Sequence, residues 1–506
     1  MRDKTEKLVF ICLLFGLIYI PMIIAAVNTP EGYVFTGHFA GGSDYYTFLT
    51  KMKWGYDGHW LYENRYTPEP TQRVPIYFFY LFLGHAARIL GLTLPAMFLL
   101  TDFVLAAIAF MLMLRLLKDD SIHSLIFAVF AFPNIDITAR FAAKLFSMPE
   151  RFFYLYPSAM SFFMFPHYII DFIGFILVLG GAKDGINRNG IIKGISGTYL
   201  LLIIHPFLLA SAYLIPLLYT VLFDRNRIKT VLLYEIIIGL AGSPYLLILY
   251  KDFTTVPWLI AWRQQATAKS SVIGILLSYG FPFATAVIYV IYLIVKEKTK
   301  TAGIWIAWLI AELALVIFMP LTNKNEFMFA LSVPVGILAS RCIERINRIK
   351  PRVLSYILSI AMVSFNLMFA LFPTVTVINS KQHKDSIYLP TEYVAGLETM
   401  ANESSDSVVL CRSDTGNLIP YYSGIRPFVG HISETINYKQ KKAQADDLFS
   451  GKLTEQEIAE IIKEYNIRYV VVDKYLYNDR TLVCEGLSPV FANKHIEIYK
   501  TSLPDA

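Results

Sequence analysis

An acidic residue, Asp44, follows the first apolar stretch of the chain, in the segment Gly41-Gly42-Ser43-Asp44-Tyr45-Tyr46. The connection that holds it runs for roughly 45 residues before the next apolar stretch, whereas most connections are far shorter. A long loop rich in charged and aromatic residues, placed at a membrane surface, suits chemistry on a lipid-linked substrate, and Asp44 is the candidate residue for that chemistry.

Other charged and aromatic residues share this connection. Arg65 and Glu69 are candidates for binding substrate. Aromatic side chains suit both a membrane–water interface and stacking against sugar rings; those present are Tyr45, Tyr46, Trp54, Tyr56, Trp60, Tyr62 and Tyr66. An interfacial loop with solvated charges is the alternative interpretation.

Cations elsewhere could bind a phosphate group. Arg140, Lys144 and Arg151 lie together in the connection 134–157, and charge-assisted hydrogen bonds from such side chains hold phosphate well. Contact with ordinary lipid headgroups is the alternative for these three. His205, in His205-Pro206-Phe207, is a further candidate for contact with phosphate or substrate, or else a neutral histidine at a helix end.

Apolar segments must position these residues at a membrane. Of the 506 residues, 55% are hydrophobic, and the mean hydropathy is +0.49, too apolar for a soluble protein of this length. Since a helical span needs about 20 apolar residues, the sequence predicts about eleven spans. The predicted spans are 8–27, 95–117, 121–133, 159–181, 191–204, 206–223, 231–250, 272–295, 303–320, 327–342 and 353–373.

Basic residues follow the even-numbered spans, and Lys and Arg collect on the cytoplasmic side of membrane proteins. The amino terminus is therefore predicted in the cytoplasm, with Asp44 and residues 374–506 outside the plasma membrane. The same parity predicts that 76–92 is a helix lying in the outer interface; a true span there, with a broken one elsewhere, is the alternative. The net charge of +6 follows from the cytoplasmic loops and does not indicate nucleic-acid binding.

Two acidic residues, Asp171 and Glu312, fall near the middle of predicted spans. Charges at that depth are costly and usually functional, although protonated or hydrogen-bonded packing residues would also fit. They favour an alternative function, a secondary transporter or lipid-linked-sugar flippase. A non-catalytic assembly or sensor protein is a third hypothesis, and it would tolerate changes at Asp44.

The chain divides into a predicted transmembrane domain, 1–373, whose outer loop is 28–94, and a polar extracytoplasmic domain, 374–506. The latter has the pattern of an α/β fold. Hydrophobic patterns there predict buried strands at 407–411 and 468–472, a helix at 454–465 with Thr454 as N-cap, and an edge strand at 495–499.

Cys411 and Cys484 both lie in the predicted extracytoplasmic domain. A disulfide between them and two separate buried thiols are alternatives.

The order of the motifs resembles polyprenyl-phosphate-sugar-dependent glycosyltransferases of the GT-C class, which includes protein mannosyltransferases, aminoarabinose transferases and oligosaccharyltransferases, and in particular their prokaryotic relatives. The residues that carry the resemblance are Asp44, Gly58-His59-Trp60-Leu61, Asn64-Arg65-Tyr66-Thr67-Pro68-Glu69, 76–91, His205-Pro206, Ile419-Pro420-Tyr421-Tyr422-Ser423-Gly424 and Gly430-His431-Ile432-Ser433-Glu434-Thr435.

The resemblance implies a GT-C fold and a membrane-bound transferase of the cell envelope. Such an enzyme moves a hexosyl or pentosyl group, with inversion, from a polyprenyl-phosphate donor to a glycan, lipid or protein acceptor on the outer face. Asp44 would be the general base, and Arg65, Arg140, Lys144, Arg151 and His205 would stabilise the departing phosphate. Some branches pair two acids as Asp-x-Asp or Asp-Glu, whereas Ser43 and Tyr45 flank Asp44 here. Whether the protein uses a divalent cation, Mg²⁺ or Mn²⁺, is therefore left open, and no metal ligands are assigned.

Overall fold

The computed structural model describes residues 2–39, 42–130, 165–265, 279–319, 327–347, 387–479 and 486–502, with the isolated residues 272, 273, 276 and 371. Its helices are α1 (Arg2–Val27), α2 (Gly42–Tyr56), α3 (Phe78–Leu90), α4 (Leu94–Leu116), α5 (Ile122–Phe130), α6 (Pro166–Asp184), α7 (Arg188–Ile204), α8 (Leu208–Phe223), α9 (Ile228–Thr255), α10 (Pro257–Gln265), α11 (Gly280–Val295), α12 (Gly303–Phe318), α13 (Met328–Asn347), α14 (Thr391–Glu398), α15 (Ser413–Tyr422), α16 (Tyr438–Phe449) and α17 (Glu455–Glu464). Its strands are β1 (Tyr33–Phe35), β2 (Tyr388–Pro390), β3 (Val408–Leu410), β4 (Arg426–Pro427), β5 (Ile467–Asp473), β6 (Leu487–Ala492) and β7 (Ile496–Thr501).

By length and composition, the described part of the chain has the helices of a multi-pass membrane protein. Five are long and apolar enough to cross a bilayer: Thr5–Val27, Leu94–Leu116, Pro166–Asp184, Arg225–Thr255 and Thr299–Phe318. The predicted count of about eleven spans is not confirmed.

Five of the six predicted spans that do not appear among these helices have one of two explanations. Helices α7, α8 and α11 contain 17, 16 and 16 residues, fewer than the about 20 that a perpendicular crossing needs. The predicted span 121–133 is described only as the nine residues of α5, and 353–373 lies outside the described residues except for Leu371.

The chain forms two compact units. The first comprises Met1–Pro21, Leu100–Ile248 and Thr267–Val375, and the second comprises Met22–Leu99, Leu249–Ala266 and Thr376–Ala506. The predicted outer loop, 28–94, thus shares a unit with the C-terminal region. The predicted domain boundary near residue 373 lies outside the described residues and stays a prediction.

A mixed five-stranded sheet forms the centre of the C-terminal region, in the order β4-β3-β5-β7-β6. Strand β3 pairs in parallel with β4 and β5, while β7 is antiparallel to β5 and to β6. The predicted α/β pattern and its buried strands are confirmed. The prediction that 495–499 is an edge strand was wrong, because β6 takes the edge. Alternation along a strand reports one buried face and does not report its place in the sheet.

Helix α17 begins where the sequence predicts. The Thr454 hydroxyl accepts from the Glu457 amide at 3.3 Å, and the Glu457 carboxylate accepts from the Thr454 amide at 2.8 Å. This capping box satisfies backbone donors that the first helical turn leaves unpaired. Cys411, next to β3, is a free and buried thiol whose pKa is raised by that burial; Cys484 lies outside the described residues. At Cys411 the structure therefore agrees with separate thiols.

A short two-stranded sheet ties the start of the outer loop to the start of the C-terminal region. Strand β1 runs antiparallel to β2, with Tyr33 opposite Pro390 and Phe35 opposite Tyr388. The Tyr388 hydroxyl also donates to the carbonyl of Ala25 at 2.9 Å. The chain that enters α2 is thereby fixed against residues that follow the predicted spans.

Helix α3 has 13 residues and is about 20 Å long, shorter than the ~30 Å hydrocarbon core of a bilayer. It leaves Phe82, Ile89 and Leu90 exposed. Both features favour the interfacial helix over a true span at 76–92.

Helices α2 and α3 pack backbone to backbone at two glycines. A Cβ atom on Gly84 would lie 1.9 Å from the carbonyl oxygen of Met52, and one on Gly55 would lie 2.1 Å from that of Leu81. Neither contact partner is a flexible side chain, so a methyl group requires the helices to separate.

We expect Gly84→Ala to lower stability by about 1–3 kcal/mol, as overpacking does. The measurement is the unfolding midpoint of the purified full-length protein in detergent. Gly180→Ala is the matched control, because a Cβ there meets nothing within 4 Å. Equal midpoints for Gly84→Ala and the control would show that the two helices do not touch as described.

A buried histidine precedes α2. The ring centroid of His38 lies 4.8 Å from that of Tyr45 and 5.7 Å from that of Tyr46, and burial lowers the pKa of His38 from 6.5 to about 4. The imidazole is therefore neutral at pH 7.

This depressed pKa predicts an acid-sensitive fold. As the pH falls from about 6.5 to about 4, His38 becomes protonated in the unfolded chain and stays neutral in the folded one. The free energy of unfolding therefore falls by up to about 3 kcal/mol. His38→Gln should remove this part of the acid sensitivity, measured as the unfolding midpoint at pH 7.0, 5.5 and 4.5. His123→Gln, at an exposed site, should keep it; identical pH profiles for the two variants would contradict the prediction.

Candidate functional site

Asp44 lies in the first turn of α2. The positive end of the helix dipole favours a carboxylate there. The side-chain amide of Asn417 donates to the carbonyl of Ser43 at 3.0 Å, and the Thr47 hydroxyl donates to the carbonyl of Asp44 at 2.7 Å. The backbone beneath the carboxylate is thus fixed from α2 itself and from α15.

His431 is the side-chain partner of Asp44. Its Nε2 lies 3.0 Å from Oδ1 of Asp44, and the exposed fractions of the two side chains are 8% and 57%. With a carboxylate as acceptor, Nε2–H is the donor. Within the described part of the chain Nδ1 of His431 has no hydrogen-bond partner, so this one bond fixes the orientation of the ring.

The segment Gly430–Thr435 delivers His431 to this position. The Thr435 hydroxyl donates to the carbonyl of Tyr66 at 2.7 Å and accepts from the amide of Gly430 at 3.0 Å. A Cβ on Gly430 would lie 2.9 Å from the carbonyl oxygen of Gly416. A small residue at 430 therefore lets the segment lie directly on α15 and on the loop that contains Tyr66.

A buried ion pair anchors the same segment to α2. Nζ of Lys51 lies 2.9 Å from Oε1 of Glu434, with exposed fractions of 2% and 4%. Nζ also lies 4.0 Å from the ring centroid of Tyr77. Burial, followed by the charge of Glu434, raises the pKa of Tyr77 well above its ordinary value. Asn64 adds a hydrogen bond of 2.8 Å to the carbonyl of Glu434.

Tyrosines of α2 and α15 contact one another in the second unit. The hydroxyl oxygens of Tyr46 and Tyr422 are 3.4 Å apart, and the ring centroids of Tyr46 and Tyr421 are 5.9 Å apart. Tyr421 and Tyr422 are half-buried. Aromatic faces of this kind can pack against the apolar face of a sugar ring.

Arg65 lies in a buried charge cluster of the second unit. It donates to the carbonyl oxygens of Ser405 and, at 3.0 Å, of Gly424, and its Nη1 lies 3.4 Å from Oε1 of Glu63. Burial and then the charge of Arg426 lower the pKa of Arg65 to about 10. Arg426 itself also bonds Glu63. These groups of the chain itself hold Arg65, and its binding of substrate stays a prediction.

Glu69 is likewise engaged within the second unit. It accepts from Lys441 and from the hydroxyl of Thr67. Among the cations of the other predicted loop, Arg140, Lys144 and Arg151 lie outside the described residues, so their role also stays a prediction.

His205 and the two intramembrane acids lie in the first unit. Nδ1 of His205 is 2.5 Å from Oδ2 of the fully buried Asp171. The hydroxyl of Ser211 donates to Oε2 of Glu312 at 2.9 Å. Both acids thus have hydrogen-bond partners, as the packing interpretation requires.

A divalent cation would need further ligands beside Asp44. Among the described residues, no three His, Cys, Asp or Glu side chains converge on a common point. Asp44 and His431 alone do not complete the coordination that Mg²⁺ or Mn²⁺ requires. No metal site beside Asp44 is therefore assigned among the described residues.

His431, Lys51 and Glu434 are site residues to which the sequence alone gave no role. The segment Gly430–Thr435 was a usable signal, since it combines a histidine, an acid and a threonine between predicted elements. The role of Lys51, its partner on α2, could not be predicted, because the sequence pattern indicates an ordinary surface lysine there.

No protein-family model and no curated protein matches the chain. Among solved structures it is similar to the archaeal oligosaccharyltransferase AglB from Archaeoglobus fulgidus in complex with an inhibitory peptide and a dolichol-phosphate, at 11% identity over 91% of this chain and 69% of that chain, with a TM-score of 0.46. The apo form of the A. fulgidus enzyme is 12% identical over 91% of this chain and 69% of that chain, with a TM-score of 0.46. Its complex with Zn and sulfate is 11% identical over 90% of this chain and 68% of that chain, with a TM-score of 0.49. A likeness at this level does not assign the chain to a family or an activity.

Proposed function

We propose that the protein transfers a sugar from a polyprenyl-phosphate donor to an acceptor hydroxyl, with Asp44 as general base. The observation that carries this proposal is the pairing of Asp44 with His431, which we call the dyad. In the dyad, the exposed carboxylate of Asp44 is held by the buried ring of His431. The motif resemblance supplies the class of reaction, and the dyad supplies a group suited to its proton transfer.

Exposure decides which member of the dyad faces substrate. The side chain of His431 is 8% exposed, whereas that of Asp44 is 57% exposed. A general base must come within about 2.6–3.2 Å of the hydroxyl whose proton it takes. Asp44 therefore receives the proton, and His431 is a positioning residue that holds the carboxylate through Oδ1 and leaves Oδ2 to the acceptor.

The transfer step needs one base and a stabilised leaving group. Asp44 takes the proton of the acceptor hydroxyl, whose oxygen forms a bond to the anomeric carbon of the donor. The bond from that carbon to the phosphate oxygen breaks, and polyprenyl phosphate departs with the electron pair. Inversion at the anomeric carbon follows from a single displacement of this kind.

The phosphate carries its own negative charge, so the step requires cations more than a general acid. Arg151 is the first candidate and His205 the second, with Arg140, Lys144 and Arg65 as further candidates and Glu69 as a contact to the sugar. The predicted topology places Asp44 and His205 on the outer side of the plasma membrane, where the acceptor would be a glycan, a lipid or a protein.

We expect Asp44→Asn to lose at least about 10²-fold in transfer rate, since general-base catalysis contributes about 10²–10⁴-fold. Membranes that contain the full-length protein are supplied with labelled hexosyl and pentosyl polyprenyl phosphates, and labelled product and released polyprenyl phosphate are measured. Asp57→Asn is the control, because Asp57 is an exposed acid at the end of the same helix, 3.3 Å from Lys53, and should retain full activity.

Two results would contradict the base assignment: wild-type turnover by Asp44→Asn, or no transfer by the unaltered protein from either class of donor. An unchanged unfolding midpoint for Asp44→Asn shows that the loss is chemical.

His431 tests the positioning role. His431→Leu removes the donor to Asp44 and should lower kcat by about 10–100-fold with little change in KM, because it affects the transition state more than substrate binding. His431→Gln keeps an N–H donor and should recover part of that loss. If both variants unfold early and lose activity alike, His431 serves packing alone.

A further inference from the structure

A second site of mixed charge lies within the first unit, independent of the dyad. Its cavity of about 350 Å³ is lined by residues from the connection between α4 and α5, the end of α11, the turn before α12 and the last turns of α13. Apolar helices give way to charged connections there. The cavity therefore lies at the level where lipid headgroups meet protein, on the face predicted to be cytoplasmic.

Paired residues build the wall of this cavity. Arg341 bonds Oδ1 of Asp120 through Nε at 2.9 Å and Nη2 at 2.7 Å, and it donates to the carbonyl of Thr301 at 3.2 Å. The hydroxyl of Ser121 donates to Glu344. These bonds join three of the four lining segments, and they cancel the charges of Asp120 and Arg341.

Two lining cations remain available for a ligand. Within the described part of the chain, no hydrogen bond or ion pair engages Nζ of Lys298 or the guanidinium of Arg345. Arg345 lies 5.7 Å from the ring centroid of Tyr292, which stacks on Tyr289 at 6.1 Å. Both cations and both rings line the cavity.

Two carboxylates also line the cavity with spare acceptor capacity. Glu344 receives one bond from Ser121, and Asp119 is 86% exposed with Lys118 3.8 Å away. A simple anion would be attracted by the two cations and repelled by the two acids. A ligand that carries both signs meets a partner for each.

We propose that this cavity binds a phosphate–ammonium zwitterion, as found in the headgroup of an aminophospholipid or in a free phosphoethanolamine ester. Lys298 and Arg345 bind the phosphate, while Glu344 and Asp119 receive the ammonium. The cavity volume lies within the range of ordinary small-ligand sites.

The test measures binding to the delipidated full-length protein in detergent by native mass spectrometry. The probes are phosphatidylethanolamine, phosphatidylglycerol, which has the same phosphodiester and no ammonium, and soluble glycerophosphoethanolamine. We expect phosphatidylethanolamine to bind at least about ten-fold more tightly than phosphatidylglycerol, as one charge-assisted contact allows. Binding of the soluble ester as tightly as the lipid identifies a free ester as the source, and binding of the lipid alone identifies the membrane.

Variants separate the two halves of the site. Lys298→Gln with Arg345→Gln should weaken both phospholipids, whereas Asp119→Asn with Glu344→Gln should weaken phosphatidylethanolamine alone. Lys296→Gln, an exposed lysine outside the lining, should change neither. Equal affinity for the two phospholipids, or unchanged binding in the Lys298 and Arg345 variant, would overturn the proposal.

Discussion

The buried ion pair between Lys51 and Glu434 is the interaction on which the pairing of Asp44 with His431 depends. Both side chains are almost fully enclosed, and an unpaired charge in such a place would cost several kcal/mol. Separating Lys51 from Glu434 would leave a buried charge without its partner. The segment 430–435 therefore keeps one position on α2. His431 lies on that segment and Asp44 lies on that helix. The ion pair of Lys51 and Glu434 therefore fixes the dyad, although neither of its residues contacts substrate in the proposed reaction.

The same arrangement explains how the carboxylate of Asp44 can be exposed and yet well oriented. Its backbone is held by Asn417 and Thr47, and one oxygen is held by a buried ring. If Asp44 is the proposed base, a carboxylate that keeps its direction between turnovers loses little free energy in meeting the acceptor.

Hydrophobic and capping patterns in the sequence predicted individual strands and a helix end. They did not predict contacts between residues that are far apart in the chain. The strands β3 and β5 and the cap at Thr454 follow from apolar runs and from the spacing of Thr454 and Glu457, all within a few residues. The contact of Asp44 with His431 joins positions 387 residues apart, and no spacing rule reaches that far. Arg65 looked like a free cation in the sequence because Ser405, Gly424 and Arg426, which surround it, belong to another part of the chain. The position of β7 inside the sheet likewise depended on β6, whose own sequence is weakly patterned.

The antiparallel pairing of β1 with β2 has a consequence for biosynthesis. Tyr33 emerges from the ribosome long before its partner Pro390, and at about 5–20 residues per second the interval is on the order of half a minute. During that time the segment that carries Asp44 has no strand to pair with and no His431 to meet. The contact between Asp44 and His431 is thus among the last features to form, so a chain that stops short of residue 431 has the carboxylate of Asp44 without its histidine partner.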